Sequence, residues 1–261
     1  MSAASHRSWY DSWYDSWRTI RGVTRSLRIY YGNSAHRAAM DCLYGEFVRP
    51  GDLVFDIGAH VGDRTAAFRR LGARVVAVEP QPALARTLKL LYGRDAAVAI
   101  EPVAIGRNAG TLSLSLNLDN PTVSTASDAF RTAAVAAPGW EGQAWTKTIQ
   151  VRATTLDLLA SRHGAAAFIK VDVEGSEAEA LAGLTSPSPA LSFEFTTMQR
   201  GVAAACIERC MQLGYARYNA VLRESFTFVQ RDWMNAEKIA AWLRALPQSA
   251  NSGDIYARLP G

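Results

Sequence analysis

The chain has 261 residues, of which 49% are hydrophobic and 20% are charged. This composition is ordinary for a globular protein with one full core. No apolar run approaches the ~20 residues that a membrane-spanning helix needs, and no apolar segment near the N-terminus indicates a secretory signal. The three cysteines have neither metal-binding nor redox spacing, so we expect a reducing, cytoplasmic environment.

The formal net charge of +4 is concentrated at the N-terminus. Residues 1–40 contain six arginines and two acidic residues, which leaves 22 basic and 22 acidic residues in the rest of the chain. Because the body of the protein is neutral, we expect no nucleic-acid partner.

The N-terminal segment has a short repeat, SWYDSWYDSW, at residues 8–17. Its period of four places the three tryptophans on one side of a helix, and the arginines that follow also share a face. One interpretation is a helix packed on the domain or a frayed terminus, which we favour. The other is a peripheral membrane contact or a partner contact. We assign residues 1–48 to an aromatic and basic helical extension and residues 49–261 to the main domain.

A helix is predicted at residues 35–48, and the most informative stretch, Leu53–Glu79, follows it. An apolar run ends in Asp56, a glycine turn leads into an amphipathic segment, and a second apolar run ends in Glu79. Strand, glycine turn, helix and strand form half of a βαβ unit. Gly58 allows the backbone to pass close to a ligand. A carboxylate at the tip of the second strand can accept both hydroxyls of a ribose.

The glycine spacing separates two classes of cofactor. A dinucleotide site uses Gly-x-Gly-x-x-Gly, whereas this turn reads Asp56-x-Gly58-x-x-x-Gly62 and lacks the second glycine. An Asp before the turn suits the cationic end of S-adenosylmethionine (SAM) better than a pyrophosphate. We therefore predict a SAM site, with an NAD(P)-dependent oxidoreductase as the alternative. The predicted cofactor-binding residues are Asp56, Gly58, His60, Gly62, Glu79, Gln81 and Ala104.

The middle of the chain continues the alternation of helix and strand. We predict a helix at 81–92, a third strand at 98–105 and a half-exposed antiparallel strand at 112–118. Residues 120–148 are the least regular part, with several prolines and glycines and two tryptophans. A loop of this length is typical of a lid or a binding loop.

The remaining patterns complete an α/β fold. The predicted elements are strand 149–151, a helix from 154, strand 167–173, helix 177–184, strand 190–195, helix 202–213, strands 215–222 and 225–229, helix 236–246 and strand 255–259. Alternating strands and helices predict a doubly wound, mostly parallel sheet. Ligands of such sheets bind beyond the carboxyl ends of the strands. Asp56, Glu79 and Asp172 lie at such ends, so we expect one shared site.

Five segments together resemble a known family. DIGAHVGDRT, VVAVEPQP, VAIG, TTLDLL and FIKVDVEGSE are similar in order and spacing to the FkbM family of SAM-dependent methyltransferases, across residues 51–195. The resemblance implies the seven-strand, Rossmann-like methyltransferase sheet, with the first and fourth strands adjacent. It also implies methylation of oxygen, often a sugar hydroxyl in a glycan or a natural product. The N-terminal repeat is not part of the family pattern, so the small-molecule or glycan acceptor stays open.

The chemistry requires a proton acceptor or a metal ion, because an alcohol must lose its proton as it is methylated. The candidates for the base are Asp172, Glu174 and Glu194, and Lys170 is a candidate electrostatic partner. A purely structural ion pair of Lys170 with Asp172 is equally compatible with the pattern. Two close carboxylates could also hold Mg²⁺. A SAM-binding protein without catalysis is a third alternative.

Overall fold

The computed structural model describes residues 3–32 and 34–260, and in the first helix it describes the side chains of Asp15 and of residues 17 onward. In these ranges the α-helices are α1 (Ala3–Tyr31), α2 (Ser34–Tyr44), α3 (Asp63–Arg70), α4 (Pro82–Tyr92), α5 (Asp128–Ala136), α6 (Leu156–His163), α7 (Glu177–Ala182), α8 (Arg200–Gln212) and α9 (Ala236–Ala245). The strands are β1 (Leu53–Ile57), β2 (Arg74–Val78), β3 (Val98–Glu101), β4 (Ala104–Ile105), β5 (Gly110–Leu116), β6 (Lys147–Thr154), β7 (Phe168–Val171), β8 (Ala190–Thr196), β9 (Arg217–Leu222) and β10 (Ser252–Arg258).

In the described part of the chain, seven strands form the main sheet, in the order β3-β2-β1-β7-β8-β10-β9. Strand β1 pairs in parallel with β2 on one side and with β7 on the other. Strand β10 is antiparallel to both of its neighbours, β8 and β9. The strand order therefore switches between β1 and β7, and the predicted doubly wound, mostly parallel seven-strand sheet is confirmed.

The central strands are buried because helices cover both faces of the sheet. All five residues of β1 are buried. Phe55 and Ile57 belong to the core formed with α6, α7 and α8, whereas Val54 belongs to the core formed with α2 and α3. The continuous apolar run of β1 follows from this arrangement, because each face of a parallel strand needs an apolar side chain.

The predicted strand at 98–105 is wrong as a single element. It splits into β3, which lies in the main sheet, and β4, which pairs with β6 in a second sheet of order β4-β6-β5. The break falls at Pro102, whose backbone has no N–H to donate to a ladder. Ala104 therefore lies in the second sheet, which stands beside the carboxyl end of β2.

Two further predictions need correction. Residues 120–148 contain regular structure, a short 3-10 helix at Pro121–Val123 and helix α5, which is capped by a bond of 3.1 Å from the Phe130 N–H to the Ser127 hydroxyl. Residues 225–229 form no strand and make one isolated bridge to β9. Phe226 has φ of 49°, and this left-handed conformation interrupts an extended chain.

Helix α1 is packed on the main domain, as the favoured interpretation expected. A Cβ atom added to Gly22 would lie 2.7 Å from the ring of Pro121, so the helix approaches this loop too closely for any larger residue. At the end of the helix, the Tyr31 hydroxyl lies 2.7 Å from that of Tyr92 on α4. None of the described helices has both the length and the apolar character to cross a bilayer. The division at residue 48 stays a prediction, and the buried side chains of α2 share a core with β1.

Replacing Gly22 by Leu is expected to detach α1, because an overpacked contact usually costs ~1–3 kcal/mol. Trypsin should then cut the arginines of α1 several times faster than in the unmodified protein. Gly201→Leu is the matched control, since Gly201 is the second residue of α8 and an added Cβ there meets no atom within 4 Å. Equal cleavage rates in the two variants would contradict the close docking of α1.

Candidate active site

A cleft opens at the carboxyl ends of β1, β2 and β7, and its empty space together with its open mouth is about 880 Å³. This is the position where the strand order switches, and it is where ligands of doubly wound sheets bind. Six of the seven predicted cofactor-binding residues and three of the four predicted catalytic residues line it. They are Asp56, Gly58, His60, Glu79, Gln81, Ala104, Lys170, Asp172 and Glu174.

Gly62 is the predicted cofactor residue that the structure does not bring to the cleft. It has φ of 84° and precedes α3 as its N-cap. The side chains of Leu88 and Tyr92 lie within 3 Å of where its Cβ would be, and its carbonyl accepts a bond of 2.8 Å from the Tyr92 hydroxyl. The turn into α3 and the packing against α4 therefore explain why residue 62 is a glycine.

Gly58 follows β1 and lies directly against the backbone of the residue that follows β7. Its φ is 80°, and an added Cβ would lie 1.7 Å from the carbonyl oxygen of Asp172. Only glycine fits this approach. The close contact brings the turn after β1, where a cofactor is expected, directly beside the acidic residues that follow β7.

Glu79 is held in one orientation at the tip of β2. One carboxylate oxygen accepts the backbone N–H of His60 at 3.0 Å, and the other accepts that of Gln81 at 2.8 Å. Burial raises the pKa of Glu79 to about 8, although these two bonds lower it, and the charges of Asp56 and Asp172 raise it further. Each oxygen keeps a second acceptor position, so the carboxylate can receive two hydroxyl donors from a ligand.

Asp56 and His60 are the other titratable groups on the cofactor side. Burial raises the pKa of Asp56 to about 6, although Lys170 and a 2.6 Å bond from the Thr65 hydroxyl lower it. Burial lowers the pKa of His60 to about 4, so its imidazole is neutral at neutral pH. This ring lies 3.3 Å from the hydroxyl of Thr122 and meets the ring of Tyr30 edge to face.

Lys170 and Asp172 form an ion pair at the end of β7. The ammonium of Lys170, which is 2% exposed, donates to a carboxylate oxygen of Asp172 at 2.6 Å. Burial acts to raise the pKa of Asp172, but the attraction of Lys170 outweighs it and the pKa is lowered. Because its side chain is 30% exposed, Asp172 presents an ionised carboxylate to the cleft.

Glu174 and Glu194 complete an acidic cluster with Asp172. One carboxylate oxygen from each residue lies within 4.8 Å of the others. Glu174 follows β7 and is buried, whereas Glu194 is half-buried in β8. Burial, with the charge of Asp172 as the next cause, raises the pKa of both glutamates well above the usual range. This cluster contains the oxygen ligands that a divalent cation would need.

The structure adds three residues that sequence reasoning missed. The Arg64 guanidinium is bonded to Asp63 and to both oxygens of Glu224 at 2.6 Å, and it lies 5.9 Å from the ring of Tyr30. Arg64 follows the glycine turn and could have been found there. Tyr30 comes from α1 and Glu224 from the loop after β9, so only the folded chain brings them to the cleft.

Comparison with known families gives one match that covers most of the chain. A model described as the methyltransferase FkbM domain matches residues 56–246, which is more than two thirds of the chain. The chain belongs to the FkbM methyltransferase family. The resemblance seen in the sequence motifs is thereby confirmed, and SAM is the methyl donor of this methyltransferase.

Two solved methyltransferase structures are similar to this chain at low identity. The magnesium protoporphyrin IX methyltransferase of Synechocystis, solved with SAM, is 12% identical with a TM-score of 0.47, covering 95% of this chain and 91% of its own. The TehB-like SAM-dependent methyltransferase of Corynebacterium glutamicum is 12% identical with a TM-score of 0.44, covering 99% and 100%. Curated protein sequences gave no match. Such distant likeness carries over neither an activity nor a substrate.

The cleft of the methyltransferase fits SAM by its own geometry. The oriented carboxylate of Glu79 suits a ribose diol, and buried Asp56 places an acid near the turn where a sulfonium or ammonium group would lie. The close approach at Gly58 keeps side chains out of the space between them. These residues would bind and orient the cofactor.

Cofactor affinity is expected to increase as the pH rises from about 6 to about 8. Hydroxyl donors bind the ionised form of Glu79, whose pKa is raised to about 8, so binding below that pH must release a proton. Calorimetry with S-adenosylhomocysteine at several pH values measures this dependence. In Glu79→Gln the dependence should become shallower, and an affinity that falls with pH in the unmodified protein would contradict the assignment.

Proposed function

We propose that this SAM-dependent methyltransferase methylates a hydroxyl oxygen of a small-molecule or glycan acceptor. The observation that supports this is Asp172, an ionised and partly exposed carboxylate in the cleft beside the cofactor turn. A hydroxyl is a poor nucleophile until its proton is removed, whereas many amines react without a base. An available carboxylate at the reactive end therefore favours an oxygen acceptor.

The proposed reaction is an in-line displacement. Bound SAM supplies an electrophilic methyl group. Asp172 would accept the hydroxyl proton as the acceptor oxygen takes the methyl group and S-adenosylhomocysteine leaves. Lys170 holds the Asp172 carboxylate at 2.6 Å and keeps it ionised before the acceptor arrives. Correct placement of the two reactants supplies much of the rate increase.

The walls of the cleft support an acceptor with several hydroxyl groups. Tyr30 lines the cleft with an aromatic ring, and the bonded pair of Arg64 and Glu224 lines it with groups of both hydrogen-bonding types. Thr122 and Ser124 add hydroxyls from the segment predicted as a lid. Groups of both hydrogen-bonding types around one apolar surface are suited to orienting a polar ring. Movement of residues 120–148 as a lid stays a prediction.

A product screen tests the proposal. The protein is incubated with SAM carrying an isotope-labelled methyl group and with sugars, nucleotide sugars, glycans, phenols and amines, and the products are examined by mass spectrometry and NMR. We expect a methyl ether. Products methylated only at nitrogen or carbon would overturn the proposal. The family assignment favours a methyltransferase over an NAD(P)-dependent oxidoreductase. Binding of SAM with no product from any acceptor class would support a binding protein without catalysis.

A further inference from the structure

We propose that Asp172, Glu174 and Glu194 bind one divalent metal ion of the Mg²⁺ type beside the acceptor end of the cleft, which Asp172 and Glu174 line. The role of the ion rests on the proposed function, but the site itself is inferred from the positions of the three side chains. The three residues come from the end of β7, the turn after it and the neighbouring strand β8. One oxygen from each lies within 4.8 Å of the others. Oxygen ligands of Mg²⁺ lie roughly 3–4 Å apart, so small side-chain adjustments suffice.

Glu174 is the observation that points to a ligand. Its side chain is 7% exposed and lines the cleft, and its Oε2 atom has no hydrogen-bond partner among the described residues. A buried carboxylate oxygen without a partner is costly, and most are paired or coordinate a metal. The Thr125 hydroxyl holds the backbone carbonyl of Glu174 at 2.6 Å, which fixes the turn and aims the side chain.

Among the described residues, one basic side chain is paired with the cluster. Lys170 bonds one oxygen of Asp172, and Arg64 is occupied by Asp63 and Glu224. In the described ranges, no salt bridge joins Glu174 or Glu194 to a basic side chain. Three carboxyl groups therefore have one ammonium as their only paired cation among the described residues.

The position of the ion gives it a role in the proposed reaction. Three protein oxygens leave further positions of an octahedron for water and for an oxygen of the acceptor. A bound cation would position the acceptor hydroxyl and make it easier to deprotonate.

Metal binding is tested with Mn²⁺ as the probe, by electron paramagnetic resonance on the full chain without SAM or acceptor. We expect one bound Mn²⁺ per chain, displaced by Mg²⁺. Glu174→Gln and Glu194→Gln should each weaken binding at least tenfold. Glu179→Gln, an exposed acid on α7, is the matched control and should leave binding unchanged. Because Glu194 is half-buried, its variant provides a readout even if Glu174→Gln does not fold.

The outcomes separate this inference from the proposed function. No bound Mn²⁺, or equal binding by the unmodified protein and the folded variants, overturns the metal site. If EDTA does not slow formation of the methyl ether, the metal site is also overturned, but the proposed function is unaffected. A bound metal in a protein that methylates no hydroxyl overturns the proposed function and leaves the metal site standing.

A second inference comes from the outer surface of α1 and α4, where we infer a contact with an anionic lipid bilayer. Large apolar side chains are exposed there, with Trp17 at 52%, Ile20 at 63% and Leu90 at 87%. They line two adjoining grooves that share Ile20. We call this surface the α1–α4 face; its exposed basic residues are Arg21, Arg25, Arg28, Arg86 and Lys147.

The charge of the α1–α4 face suits anionic lipid. The acids at its edge are already paired, since Asp119 accepts two bonds from Arg18 and Asp15 accepts one from Lys147. Arginines beside exposed Trp, Ile and Leu are typical of helices that lie in the bilayer interface. Each basic residue near such a surface contributes to binding through the lipid charge, and salt weakens that contribution.

Vesicle sedimentation tests the membrane contact. The full chain should sediment with phosphatidylcholine vesicles that contain phosphatidylglycerol, and not with phosphatidylcholine alone. High salt should release it, and Arg25→Glu combined with Arg28→Glu should reduce the bound fraction several-fold. Arg231→Glu, an exposed arginine in the loop after β9, is the matched control. Absence of sedimentation, or equal loss in the control variant, overturns the inference and would favour a partner protein at this face.

Discussion

Replacing Asp172 by Asn is expected to reduce the turnover number by about 10²–10⁴-fold, the usual range for losing a general base. The amide keeps the size of the side chain and can still accept a bond from Lys170, but it cannot take the proton of a hydroxyl. Affinity for S-adenosylhomocysteine should change by less than about threefold, because Glu79 and the turn at Gly58 are untouched. Release of S-adenosylhomocysteine, measured with an acceptor from the product screen, gives the turnover number.

The control for this variant is Glu179→Gln, which removes an exposed carboxylate on α7 that pairs with Arg107. It should turn over at the normal rate. If Asp172→Asn also keeps normal turnover while remaining folded, the proton goes elsewhere, and Glu194 on the neighbouring strand becomes the next candidate.

Replacing Glu79 by Ala is expected to weaken cofactor binding about 10- to 100-fold, equivalent to ~1.4–2.8 kcal/mol. The variant removes the acceptor for both ribose hydroxyls. It also releases the backbone N–H groups of His60 and Gln81, which the carboxylate now holds at 3.0 and 2.8 Å. Calorimetric titration with S-adenosylhomocysteine measures the loss, and circular dichroism checks that the variant is folded.

Glu101→Ala is the matched control, because Glu101 ends the neighbouring strand β3 and pairs with Arg162 and His163 away from the cleft. It should bind the cofactor normally. An unchanged dissociation constant in folded Glu79→Ala would remove the assignment of the ribose site.

The main sheet could be predicted because its central strands are covered on both faces. Burial of β1 and β7 forces continuous apolar runs, and those runs are visible in the sequence. The wrong strand predictions lie where the local backbone conformation determines whether a strand forms. A single proline separates β3 from β4, which lies in another sheet. At residues 225–229 the residue types favoured a strand, but the left-handed conformation of Phe226 prevents one. Such choices depend on neighbouring elements that the residue pattern does not show.

The residues of the candidate site could also be predicted only in part. Residues next to strand ends, such as Glu79 and Asp172, could be named because parallel strands end at one edge of a sheet. Tyr30 and Glu224 could not, since they reach the cleft from α1 and from the loop after β9. Gly62 does not line the cleft, and this could not be seen in advance because a glycine packed against Tyr92 looks the same in sequence as one beside a ligand.

Calorimetric titration of the full chain with S-adenosylhomocysteine and, separately, with NADPH tests the central claim most directly. The structure predicts one site per chain for S-adenosylhomocysteine, with affinity that falls in Glu79→Ala, and no heat of binding for NADPH. Binding of NADPH together with no binding of S-adenosylhomocysteine would contradict the account.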